Sequence, residues 1–346
     1  MKSLGLSRKT LFISIAAAWL TACGASQPLF GAPGAMPQSL VNLRTRLFTL
    51  PAPGPARGVT GLPGYKMSNS LLYVVNSSSS SYEFGDVAVY DAKANDPSPI
   101  AIITDGLLTP DSDCIDRGGT LYVADQNGWV AEYARGQTTL LQDITEGSGT
   151  PVACTIDGKG NLWVAALSAV DEYLKGSNQP YKIITDGVAY ANSVVFDHAG
   201  NMYVGNSLAW EDQQSNIQVY PPGSNSPSRT ITDGVVWPVG TAVDAKNVLY
   251  VTNITDTNEQ CGDVEEYRAG ESHPFRTITD GIAGPLSLAF NVSDRLYELN
   301  GGFQGCVNQR YDLVLEFLQG SIRPGKRTIT TLFNPGGIAY YRPPLP

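Results

Sequence analysis

Arg229-Thr230-Ile231-Thr232-Asp233-Gly234 decides how this chain is read, because it recurs. Ile103-Thr104-Asp105-Gly106 and Ile184-Thr185-Asp186-Gly187 come before it, and Ile278-Thr279-Asp280-Gly281 after it. Ile144-Thr145-Glu146-Gly147 is a close variant, and Ile329-Thr330-Thr331 is a degenerate last copy. Counted from isoleucine to isoleucine, successive copies are 41, 40, 47, 47 and 51 residues apart. A fixed period of this size marks a solenoid or a propeller.

The residues between copies repeat one grammar. A proline or small residue opens an apolar strand that closes on Asp or Asn: Pro110 to Asp116, Pro151 to Asp157, Ala191 to Asp197, Pro238 to Asp244, Pro285 to Asn291. A polar turn follows, then a second strand such as Leu121-Tyr122-Val123 or Leu249-Tyr250-Val251. A loop of variable length leads to a third strand ending in an aromatic: Tyr133, Tyr173, Tyr220, Tyr267, Phe317. A Gly/Pro/Ser turn then leads to the fourth strand and the Thr-Asp-Gly motif. Four short β-branched and aromatic strands per repeat describe a propeller blade. Residues 71–106 form the first such unit, which makes six. After the sixth, Pro335-Gly336-Gly337-Ile338-Ala339-Tyr340 repeats the inner-strand grammar with no second strand behind it. Its natural place is in the first blade, where it removes the open edges of the ring. The expected fold is all-β, a six-bladed β-propeller of four-stranded antiparallel blades closed by a C-terminal inner strand.

Residues 1–22 read as a signal peptide: Lys2, Arg8 and Lys9 precede an apolar stretch from Leu11 to Leu20 that is short for a finished membrane span. The stretch ends in Leu20-Thr21-Ala22-Cys23, which resembles a bacterial lipobox. That resemblance implies lipidation of Cys23 and an anchored protein of the cell envelope. Gly24 in the next position favours the outer membrane, facing the periplasm or the cell surface. Residues 23–45 then form a flexible tether rich in Gly, Pro, Ala, Gln and Ser, with a reach of roughly 25 Å, and residues 46–346 form the propeller. The chain has 23 Lys and Arg against 32 Asp and Glu, a net charge of −9. Loss of three cations with the signal leaves 20 against 32, or −12. Net negative charge disfavours nucleic acid and anionic lipid as partners, so membrane contact is expected only through the N-terminal lipid. A monomer is expected.

Four cysteines follow Cys23, and an envelope location permits disulfides. Cys114 and Cys154 lie in inner strands of neighbouring blades at positions of opposite parity, so they point to opposite faces of their own blades. That parity lets them meet across the seam or point away from each other; the expected arrangement is a bond. Cys261 and Cys306 fall in equivalent loops of the fifth and sixth blades, and a second bond is expected there. Each bond closes a loop of about 40 residues, for which the chain-entropy model gives ~4 kcal/mol.

A repeat carries its own control: what every blade has is scaffold, and function belongs to what the blades do not share. By this test the Thr-Asp-Gly turns are structural, as are Glu132, Glu172, Glu266 and Glu316, expected to pair between blades. Tyr122, Trp163, Tyr203, Tyr250 and Tyr297 are expected in the core. The loop between second and third strands differs most. It is short in blades two and three. It is long in the first (with Tyr82 and Phe84), the fourth (Trp210, Glu211, Asp212), the fifth, and the sixth (Phe303, Arg310). In a meander these loops emerge on the Thr-Asp-Gly face. Aromatic side chains among Asn and carboxylates there suit a protein, peptide or glycan partner.

Asp197-His198-Ala199-Gly200-Asn201-Met202-Tyr203-Val204 and Asp157-Gly158-Lys159-Gly160-Asn161-Leu162-Trp163-Val164 resemble NHL-repeat propellers and the related gluconolactonase and senescence-marker lactonases. NHL propellers are mostly interaction modules. The lactonases hold one divalent ion, such as Ca or Zn, in the central channel through Glu, Asn and Asp. Asn192 and Asp111 match the Asn and Asp positions; the Glu has no counterpart, and Ser193 and Ser112 stand where the lactonases have Gly. His198 and His273, placed in surface turns, match no histidine-dependent propeller site. The sequence shows no Ser/His/Asp arrangement, phosphate loop or Cys/His cluster. The first expectation is therefore a non-catalytic, cofactor-free binding propeller, with no catalytic residue assigned. The alternative is a metal-dependent lactonase or hydrolase.

Overall fold

The computed structural model describes residues 70–77, 84–208, 214–255, 261–301 and 312–341. The signal, Cys23 and the tether lie outside them. The described residues form no helix, only six four-stranded antiparallel sheets, each a blade. Blades 2 to 6 occupy 110–144, 153–184, 191–231, 238–278 and 285–329. Blade 1 joins 71–103 to the last strand, Pro335–Tyr341. The ring thus closes as the sequence grammar requires, with Leu71 opposite Tyr341, Tyr73 opposite Ala339 and Val74 opposite Ile338.

Second and third strands are buried on both faces, so they read as unbroken apolar runs such as Leu71-Leu72-Tyr73-Val74-Val75 rather than as alternation. In blades 1 to 5 the fourth strands are three residues long and bury only their final Ile. Short edges of this kind limit pairing with other chains. The core lies in the seams: every apolar cluster draws on two neighbouring blades. Gly336 and Gly337 are required by the closure. A Cβ on Gly337 would stand 2.7 Å from Ser112 Cα and 2.9 Å from Asp113 N in blade 2.

The repeated motifs hold the seams. In blades 2 to 5 the third-strand tyrosine donates its hydroxyl to a carbonyl of the preceding Thr-Asp-Gly turn or its variant. Tyr173 reaches Glu146 O at 2.8 Å, Tyr220 reaches Asp186 O at 2.7 Å and Tyr267 reaches Asp233 O at 2.7 Å. Gly187, Gly234 and Gly281 take φ of 75°, 73° and 80°, which a Cβ would oppose. The Asp that follows the inner strand in blades 2 to 5 caps the next turn: Asp197 Oδ1 accepts from Ala199 N and Asn201 N, and Asp244 Oδ1 from Lys246 N and Val248 N; Asn291 does the same in blade 6. Tyr122, Trp163, Tyr203, Tyr250 and Tyr297 are buried, as expected.

The shared glutamates depart from expectation. Their partners are within their own blades, not across seams. Glu266 takes a bidentate pair from Arg276 at 2.6 and 2.5 Å, Glu132 bonds Gln142 at 2.5 Å, and Glu316 meets Arg295 at 3.1 Å. The cause is register: Glu132 lies directly opposite Gln142, and Glu266 opposite Arg276, in the adjoining fourth strand. A cross-strand partner at that distance is met before any residue of the next blade.

Candidate functional site

The face that carries the second-to-third-strand loops is built around one side chain per blade. Asn76, Asp125, Asn206, Asn253 and Asn300 end the second strands and are buried. Asn253 accepts from Val236 N at 3.1 Å and donates to Gly234 O at 2.7 Å. Asn206 treats Ala189 N and Gly187 O the same way, and Asn300 treats Ala283 N and Gly281 O likewise. Each thus stitches the incoming crossover to its own blade. Blade 3 has Ala166 at this place, and Asp171 takes over, binding Ser148 N at 2.7 Å and Ser148 Oγ at 2.6 Å. These residues were not singled out in the sequence, although five copies at one repeat position were there to be read.

With the crossovers fixed, their next side chains reach solvent on this face: Val236 is 49% exposed, Phe333 46%, and Tyr190 36%. Phe84 is half-buried, next to Gly85, whose N–H bonds Leu108 O at 3.0 Å. Tyr82, Trp210, Glu211, Asp212, Phe303 and Arg310 lie outside the described residues. The Thr-Asp-Gly carboxylates leave the outermost strands and ring the perimeter, not the channel mouth; Asp233 Oδ2 meets His273 Nδ1 at 2.7 Å, both side chains exposed. His198 is likewise exposed, its ring 3.1 Å from Asp244 O.

The channel wall is made by the inner strands. Four of them carry a bulge at their second residue: Asp111, Asn192, Val239 and Leu286. A bulge re-aims the extra side chain, and these four remain partly solvent-accessible. Asp111 and Asn192 thus occupy equivalent positions in blades 2 and 4. Solvent reaches part of Asp111, yet the dense wall around it lifts its carboxyl to about 6, countered by a hydrogen bond with Gln126. Two residues on, Asp113 is buried with no hydrogen-bond partner for either oxygen, and burial pushes it well above the usual carboxylate range. Ser193 Oγ and Thr241 Oγ1 on other inner strands are also unpartnered. Among the described residues, no three His, Cys, Asp or Glu side chains come together as a metal set. Asp111 and Asn192 therefore supply two oxygen donors without a described third.

The first expected disulfide is present: Cys114 and Cys154 are bonded, with Cα atoms 5.7 Å apart. Their pairing positions show why. Cys114 is opposite Tyr122 and faces blade 3, while Cys154 is opposite Val164 and faces blade 2. Cys261 is disulfide-bonded; its expected partner Cys306 lies outside the described residues.

No protein-family model matches this chain, and no curated protein matches it. Solved structures do resemble it. A protein of unknown function from Bacteroides caccae aligns with a TM-score of 0.59 at 13% identity, over 80% of this chain and 100% of that one. A chain of a nidogen/laminin complex aligns with a TM-score of 0.57 at 14% identity, over 78% of this chain and 98% of that one. At these identities the likeness establishes the propeller fold alone.

Proposed function

We propose that this chain is a non-catalytic, lipid-anchored propeller of the bacterial cell envelope that binds a protein, peptide or glycan through its long-loop face. One observation carries the reading. The repeated motifs described above are engaged in seams, turns and stitches, while the crossovers of the loop face present exposed apolar side chains that differ from blade to blade, Tyr190, Val236 and Phe333. Exposed apolar residues grouped on one face mark interaction sites more often than scattered ones. The nidogen/laminin complex supports it in general terms, as a propeller of this shape seen within a protein assembly.

The experiment compares capture of envelope components by the wild-type chain and by Val236→Ser/Phe333→Ser and Trp210→Ala/Phe303→Ala. Loss of one captured species in both variants, with melting temperature unchanged, is the expected result. Equal capture by all three would overturn the reading. The lactonase alternative rests on the equivalent placement of Asp111 and Asn192. It predicts one bound divalent ion that is lost in Asp111→Ala and Asn192→Ala and whose removal by chelator lowers the melting temperature. A chain without stoichiometric metal, and with no shift on chelation, sinks that alternative.

A further inference from the structure

Six residues stand where the channel opens on the loop face, one before each inner strand. From blade 1 to blade 6 they are Asn334, Thr109, Thr150, Tyr190, Trp237 and Gly284. Ala191 pairs with Asn206 and Pro238 with Asn253, the last residues of their second strands, so Tyr190 and Trp237 sit at the loop-face ends of their inner strands. Five of the six are tied down alike, by an N–H just past the second strand. Ser207 N donates to Tyr190 O at 3.1 Å, Ile254 N to Trp237 O at 3.0 Å and Gly301 N to Gly284 O at 2.9 Å, while Gln126 N and Ser77 N reach Thr109 O and Asn334 O.

The backbone here is left-handed in three blades: φ is 65° at Gly284, 46° at Asn334 and 53° at Tyr190. Gly takes this conformation freely and Asn tolerates it, but an aromatic residue is strained by it. Blade 4 thus holds a ring where blades 6 and 1 show the unstrained solutions, and strain that a fold holds in place clusters at ligand sites. The neighbouring blade 5 adds Trp237, partly accessible, at the same position. Blades 1 and 2 lie across the ring of six from blades 4 and 5, and they bring neutral polar groups, Asn334 and Thr109. Among the described residues no Lys or Arg lies in a crossover or in a second-to-third-strand loop, so an anionic ligand meets no described counter-charge at the mouth.

Two aromatic rings with neutral amides and hydroxyls around them are the chemistry that receives a sugar, whose C–H face covers a ring while its hydroxyls meet polar groups. Two such side chains bury roughly 300–500 Å² at most. That is short of the ~800 Å² per partner of a stable protein interface and suits one or two sugar residues. We propose that Tyr190 and Trp237 form a binding site for a neutral saccharide at the mouth of the channel. The site rests on the binding reading above and narrows its partner to a glycan.

The full chain, in a detergent without a sugar headgroup, is titrated with cello-, malto-, xylo-, manno- and chito-hexaose, and with polygalacturonate as the anionic counterpart. At least one neutral oligosaccharide is expected to bind, and polygalacturonate is not. Tyr190→Gly removes the ring and relieves the backbone, as Gly284 does in blade 6. It should lower affinity at least about tenfold, with the melting temperature unchanged or raised. Trp237→Ala should weaken binding as much, and Trp237→Phe, which keeps a ring, should retain most of it. Val292→Ser, in a turn at the other end of blade 6, should change nothing. Binding of none of the oligosaccharides, equal affinity in wild type and Tyr190→Gly, or equal binding of polygalacturonate would each overturn the proposal. A chain that binds no oligosaccharide yet loses a captured protein in Val236→Ser/Phe333→Ser overturns this site and leaves the loop-face reading standing. Saccharide binding lost in Tyr190→Gly, beside equal capture by all three chains compared above, does the reverse.

Discussion

The seam between blades 2 and 3 and the seam between blades 5 and 6 are built from the same repeat, yet they are held differently. At the first, Cys114–Cys154 joins the inner strands, and Tyr173 donates to Glu146 O across the gap. At the second, the tyrosine position is Phe317, which has no hydroxyl to reach the Asp280 turn. The valine position of the second strand, Val123 or Val251 elsewhere, is Glu298. Glu298 is 0% exposed, sits between Leu288 and Leu315, and has no partner for either oxygen. The expected Cys261–Cys306 bond would lie in the loops above this seam, not in its wall. A ring of like blades can thus concentrate its weakness in one place.

The largest effect expected from breaking this contrast is at the strong seam. Cys114→Ser/Cys154→Ser opens a 40-residue loop and should cost ~4 kcal/mol, read as a lower denaturation midpoint. Under reducing conditions the wild type should fall to the same value if that bond dominates. A loss below about 1 kcal/mol would mean that the apolar contacts of Tyr122, Val164 and Tyr173 hold the seam without it.

Much of this was legible. The motif period gave six blades, the orphan strand from Pro335 gave the closure, and cysteine parity allowed the bond that is present. The pairing of Glu132 and Glu266 was not legible, because a period fixes a residue's place along a strand but not which neighbour lies opposite it. Glu298 was visible as Leu-Tyr-Glu among copies reading Leu-Tyr-Val, yet only burial shows that nothing meets it. Of the candidate site, Phe84, Asp111 and Asn192 can be placed, and the apolar crossover residues Val236 and Phe333 were missed. Their exposure depends on Asn253 and Asn76 fixing the backbone beneath them, which no local pattern announces.

The weak seam offers the second test. Burial raises Glu298 well above 4.5, so the folded chain holds a proton that the unfolded chain has released. Stability is then highest below pH 4.5 on this account and falls as pH rises from there toward the folded value. Glu298→Leu should stabilise by about 1–3 kcal/mol at pH 7 and flatten part of the decline between pH 5 and 7. Asp111, raised to about 6, and Glu265, raised to about 7, contribute slopes of the same sign and would persist in the variant. An unchanged pH profile in Glu298→Leu would show that the carboxyl has found a partner in solution.

The smallest effect tests the hydroxyl clasp from both sides. Tyr173→Phe removes the bond to Glu146 O and should cost about 1 kcal/mol, because the carbonyl on the exposed turn can turn to water. Phe317→Tyr should place a hydroxyl at Asp280 O and recover a similar amount at the weak seam. Amide hydrogen exchange of Val264 and Leu315, which flank that seam, would report the gain locally, since sub-global opening is governed by the least stable unit. If Phe317→Tyr slows exchange there while Tyr173→Phe leaves it unchanged, the two seams open independently. If both variants shift exchange everywhere in step, the ring opens only as a whole, and the difference between the seams is a difference of composition with no separate stability behind it.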